Sequence, residues 1–102
     1  MIIRIDANGA RLDEADNFRA FKVVVEAGAG SREAVARTLT DTLQFESDEH
    51  AWVAISALEN WPGFGADAHY RASLQAMIDK ARPYGWIAED GRSIRAHIEW
   101  RF

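Results

Sequence analysis

The chain has 102 residues, 48% hydrophobic and 27% charged, a balance that can fill one packed core and does not suit a disordered polymer. It has no cysteine, which excludes disulfides and thiolate metal sites. The net charge of −4 is uneven: residues 1–66 hold six basic and eleven acidic residues, residues 67–102 six and five, so the front half argues against a nucleic-acid partner.

Met1-Ile2-Ile3-Arg4-Ile5-Asp6 lacks the apolar stretch of a signal peptide, and no apolar run reaches the roughly 18 residues that a membrane helix needs. A single domain over residues 1–102 is expected, in the cytoplasm and with no membrane partner. Ile2, Ile3 and Ile5 are β-branched and predict a first strand. Asn8-Gly9 is a hairpin signal that would oppose Asp6 to Arg11 and Ile5 to Leu12. The run Asp13-Glu14-Ala15-Asp16-Asn17 is mostly polar and reads as a loop, with room for one helical turn. From Phe18 to Ala27 the chain alternates, with Phe21, Val23 and Val25 on one face and Lys22, Val24 and Glu26 on the other, which predicts a half-buried strand.

Ser31 is a candidate helix cap, and Val35, Ala36, Leu39 and Leu43 follow at helical spacing, so a first helix is expected from 31 to about 45. Ser47 or Asp48 would cap a second helix with Ala51, Ile55 and Leu58 buried, Trp52 and Trp61 flanking them, and Pro62-Gly63 as the stop. His50 would then lie in a helical first turn. Asp67 opens a third helix with a stripe of Tyr70, Leu74, Met77, Ile78 and Ala81, ended by Pro83.

Residues 84–100 read as a hairpin about Asp90-Gly91. Ile87 would face Ile94, Trp86 would face Arg95 and Tyr84 would face His97. Ile87, Ile94, Ala96, Ile98 and Trp100 then share the core face. Tyr84, Trp86, Arg95, His97, Glu99 and Arg101 share the other. The order ββαααββ predicts an α+β fold: a small sheet of about four strands, antiparallel with room for a mixed pairing, and three helices on one face.

The chemistry-bearing residues are few. The three histidines, His50, His69 and His97, show no metal-ligand spacing, so no metal site is expected. Gly28-x-Gly30 lacks the third glycine and the Lys-Ser/Thr of a phosphate loop; no cofactor is expected. His97 with Glu99 two residues on and Tyr84 across the hairpin is a candidate acid–base group, because a carboxylate can orient an imidazole. Trp61 and Phe64 bracket a Pro-Gly loop and are candidate binding residues, as are Trp86, Arg95 and Arg101.

Three functions are weighed, in this order. The first is a small interaction module acting through the open sheet face as a homodimer. There Ile2, Val24, Tyr84 and Trp86 would form an apolar centre, rimmed by Arg4, Lys22, Arg95, Glu99 and Arg101; a different protein or a small ligand could take the same place. The second is a cofactor-free enzyme using His97, Glu99 and Tyr84. The third comes from a resemblance: Ala72 to Ile98, a helix with Leu and Met spacing, then Tyr84-Gly85-Trp86-Ile87, the Asp90-Gly91 turn and Ile94-Arg95, resembles the recognition helix and wing of a winged-helix domain. That resemblance implies that His69, Arg71, Gln75, Lys80 and Arg82 would face DNA, with Arg92 on the wing.

Overall fold

A computed structural model describes residues 1–15, 17 and 21–101. The first strand, β1 (Ile2–Asp6), folds back on β2 (Gly9–Asp13). The turn lies one residue earlier than Asn8-Gly9 suggests. The Asp6 carboxylate accepts from the Asn8 amide, and Gly9 takes the left-handed φ of 118° that closes the turn. Ile5 therefore pairs with Ala10, and Ile3 with Leu12. The slip is two residues, so every side chain keeps its expected face.

The third strand, β3 (Lys22–Glu26), alternates as the sequence predicts, with Val23 and Val25 in the core. Phe18, where that strand was expected to begin, lies outside the described residues. Beyond a 3₁₀ turn at Ala27–Ala29, the Ser31 hydroxyl accepts from the Ala34 amide and caps α1 (Arg32–Thr38). This helix is half the expected length. Leu43 belongs instead to β4 (Leu43–Phe45), which pairs antiparallel with β5 (His50–Ala54).

The expected second helix is thus mostly strand. Ala51 and Val53 point into the core while His50, Trp52 and Ala54 alternate with them, a period of two that the Ala51/Ile55/Leu58 spacing disguised. Only α2 (Ile55–Glu59) remains helical there, burying Leu58. The third helix, α3 (Ala68–Ala81), matches its prediction. Asp67 accepts from the Tyr70 amide as the cap, and Tyr70, Leu74, Met77, Ile78 and Ala81 are all buried. A 3₁₀ turn at Arg82–Tyr84 follows, and then β6 (Ser93–Arg101).

The sheet has six strands in the order β2-β1-β3-β6-β5-β4, not four, and it is mixed: β1, β3 and β6 run parallel, and the outer pairings are antiparallel. Leu12, Ile3, Val23 and Ile98 form one continuous row across four strands of the inner face. All three helices pack their apolar side chains onto that face. The Asp90-Gly91 turn holds its expected register, with Ile87 bridged to Ile94 and the Ala88 amide donating to the Ser93 carbonyl. The leading arm of that hairpin is only this short bridge. Tyr84 does not face His97, because it sits in the 3₁₀ turn; His97 is paired with Lys22 on one side and His50 on the other. Among the described residues no helix is long and apolar enough to cross a membrane.

Candidate functional site

β6 changes its neighbour along one edge, and this creates the site. Near Ile94 that edge meets the chain at Trp86–Ala88, where the Arg95 amide donates to the Trp86 carbonyl. From His97 onward the same edge pairs with β3. The cleft, of about 750 Å³, is lined by residues on both sides of that changeover. Trp86 and Phe21 flank it, Arg95 and His97 come from β6, and His50 comes from β5. Ser73, Ala76, Met77 and Lys80 of α3 form a further wall. The volume suits a small organic ligand.

At the mouth, Gly85 adopts a left-handed backbone (φ 75°), and the reversal sets Tyr84 against Trp86. Their rings stack with centroids 4.8 Å apart and planes 21° from parallel. They are 69% and 47% exposed, in contrast to Trp61, which lies in the core. On the sheet side, the rings of His50 and His97 meet edge to face at 5.7 Å, in keeping with their direct pairing across β5 and β6.

Among the described residues the charged side chains of the lining, Lys80 and Arg95, are both cationic. His50 and His97 add imidazole nitrogens, Ser73 and Tyr84 add hydroxyls, and no described carboxylate belongs to the lining. Arg95 donates through Nε to Glu46 at 2.8 Å, which fixes its stem and leaves its terminal amino groups for another acceptor. Lys80 has no ion pair among the described residues.

The remaining expected site residues are placed elsewhere. Glu99 shares the outer face of β6 with His97, but its carboxylate accepts from Lys22 at 3.1 Å and Arg101 at 3.3 Å. The Lys22 hydrogen bond, with help from the Arg101 charge, holds Glu99 below the usual carboxylate range. No described hydrogen bond joins His97 to Glu99 or Tyr84. Phe64 is half-buried against Tyr70, ring centroids 5.3 Å apart, beside the buried Trp61.

The open sheet face is also not one patch. Ile2 and Val24 are buried, and Arg4, paired in register with Val24, reaches Asp13 at 2.7 Å and Glu26 at 2.5 Å. Tyr84 and Trp86 stand apart from them at the cleft. Of the residues that the winged-helix resemblance would turn toward DNA, Arg71 approaches Glu59, and Gln75 and Arg82 both approach Asp79. The strand in the place of a wing is β6, which lies inside the sheet.

Sequence reasoning missed Phe21, His50, Ser73 and Lys80 as partners in one site. Lys80 and Ser73 sit off the apolar stripe of their helix, a signal that says only that they face outward. The pairing that brings His50 to His97 spans 47 positions and has no local trace. Comparison with known proteins supplies no guide: no family model, no curated protein and no solved structure matches this chain.

Proposed function

We propose that the protein is a small binding module whose working surface is the cleft between α3 and β6. The observation that carries this reading is the exposed stack of Tyr84 and Trp86 at the mouth of that cleft. Large apolar rings held out in water are unfavourable unless something covers them, and two rings stacked beside a hollow are a platform for a flat ligand. The cofactor-free enzyme reading, with His97, Glu99 and Tyr84 acting together, has less support because Glu99 is engaged by Lys22 and Arg101.

A second reading rests on the same rings. A homodimer would cover Tyr84 and Trp86 with a second copy across a two-fold axis. Sedimentation, followed by a fragment screen read by amide and indole chemical shifts, separates the two. The binding module should sediment as one 11.4 kDa chain, and aromatic fragments should move the signals of Trp86, Arg95 and His97. A dimer that dissociates on Trp86→Glu would replace the cleft reading with a shared interface. Fragments that move none of these signals would end the cleft reading.

A further inference from the structure

We infer that the ligand is an aromatic anion: a flat apolar body against Tyr84 and Trp86, with a carboxylate or phosphate directed at Lys80 and Arg95. This rests on the binding-module reading and adds the charge of the ligand to it. The argument is charge complementarity. The chain as a whole is acidic, at −4, yet the described lining of this cleft contains a lysine, an arginine held through Nε by Glu46, two histidines and no acid. Lys80, without an ion pair among the described residues, and Arg95, whose Nε alone is engaged by Glu46, give this hollow a cationic lining against the net charge of the chain, which favours anions over cations.

The geometry divides the cleft into two parts. Phe21, Met77, Ala81 and Ile94 join the stacked rings as an apolar wall, which removes the body of a ligand from water. Lys80 lies on the same helix as Met77, three residues further on, and its flexible stem brings an ammonium to the rim. Arg95 is held in place by Glu46 through Nε and retains donors suited to a carboxylate or phosphate. The two imidazoles add further donors on the sheet side. Aromatic rings alone would also suit a cation, through their negative faces, but cationic lining groups oppose that choice.

The test compares three isosteric probes on the intact chain: 2-naphthoate, the neutral 2-naphthamide and cationic 2-naphthylmethylammonium. Binding is read at the Trp86 indole N–H and the His97 amide by NMR titration. The inference expects 2-naphthoate to bind about tenfold more tightly than the amide, the usual size of a hydrogen bond to a charged group, and the cation to bind most weakly. Lys80→Met keeps the stem and should reduce that preference to about twofold or less, the scale of a residual weak ion pair. Arg71→Met, which removes the same charge outside the cleft, should leave it unchanged. 2-Naphthyl phosphate in a fourth titration distinguishes the two head groups, the tighter anion naming the one preferred. Equal binding of all three isosteres, tightest binding of the cation, or an anion preference that survives Lys80→Met would each overturn the inference while leaving a binding cleft. Failure of every probe to move either signal would overturn both the inference and the reading beneath it.

Discussion

The outer face of the sheet over β1 and β3, and the cleft between α3 and β6, treat apolar surface in opposite ways. At the front, over β1 and β3, Val24 is fully buried although it points away from the helices, with Arg4 beside it bonded to Asp13 and Glu26, and Lys22 to Glu99. At the cleft, Tyr84 and Trp86 stand in water beside Lys80 and Arg95, with no carboxylate among the described lining residues. Where charged side chains are matched with one another they close over apolar surface and act as scaffold. Beside the exposed rings, Lys80 has no ion pair among the described residues and Arg95 is engaged by Glu46 through Nε, and nothing closes over the rings.

Both regions stand on the same inner row, so the largest effect should come from breaking it. Ile98 is 3% exposed and sits between Val23 and the Glu49 backbone. Ile98→Ala should lower unfolding stability by about 2–5 kcal/mol in denaturant melts, the penalty for an emptied core site. A loss below about half a kcal/mol would mean that the sheet is not the shared base of the two regions.

Arg4→Met should affect the front alone, at about 1–2 kcal/mol, because it takes the Arg4 partner from half-buried Glu26 and leaves Asp13 with the longer Arg11 contact. It also bears on acid stability. The Arg4 hydrogen bond, helped by Arg11, holds Asp13 below its ordinary value near 3.8. A carboxyl with a lowered native pKa stabilises the fold above its unfolded value, and that contribution is lost as pH falls through the native one. Urea midpoints of the parent should therefore fall more steeply below about pH 4 than those of Arg4→Met. Parallel acid limbs would contradict the Arg4 cover.

How much of this could be read from the chain depends on the range of the contacts involved. The α3 stripe and its Asp67 cap are local, and both were legible. So was the alternation of β6, because Ile94, Ala96 and Ile98 are separated by polar residues and the Asp90-Gly91 turn sets the register. β5 was misread because Ala51, Ile55 and Leu58 also fit a helix, and only the partners Ala96 and Ile94 on a distant strand favour the extended form. The parallel pairing of β3 with β6 likewise joins segments about 75 residues apart, beyond any turn signal. Trp86, Arg95 and His97 stand out in the sequence because they share the polar side of the hairpin. The cleft itself was not legible, since it arises where β6 exchanges one neighbour for another.

A smaller effect tests the helix wall. The Tyr70 hydroxyl donates to the Leu58 carbonyl at 2.7 Å in a buried setting, and burial pushes its pKa up to about 12. Tyr70→Phe should cost about 1 kcal/mol at neutral pH. The unfolded tyrosine ionises near 10, before the native one, so the parent should lose stability between about pH 10 and 12 and the variant should be spared that part of the loss. Identical alkaline limbs would show that this hydroxyl is not held buried, and that α3 is a looser wall than the cleft requires.

The most direct test is Tyr84→Ala, carried through both an unfolding titration and a 2-naphthoate titration read at the His97 amide. A ring that is 69% exposed and serves as a platform should be nearly dispensable for folding and important for binding. The expected result is a stability change within about half a kcal/mol, as for an ordinary surface substitution, with probe affinity reduced about fivefold for the loss of one stacking partner. A stability loss of about 1.5 kcal/mol or more with probe affinity unchanged would make the Tyr84–Trp86 stack structural cover, like Arg4 over β1 and β3, and would contradict the division between the two.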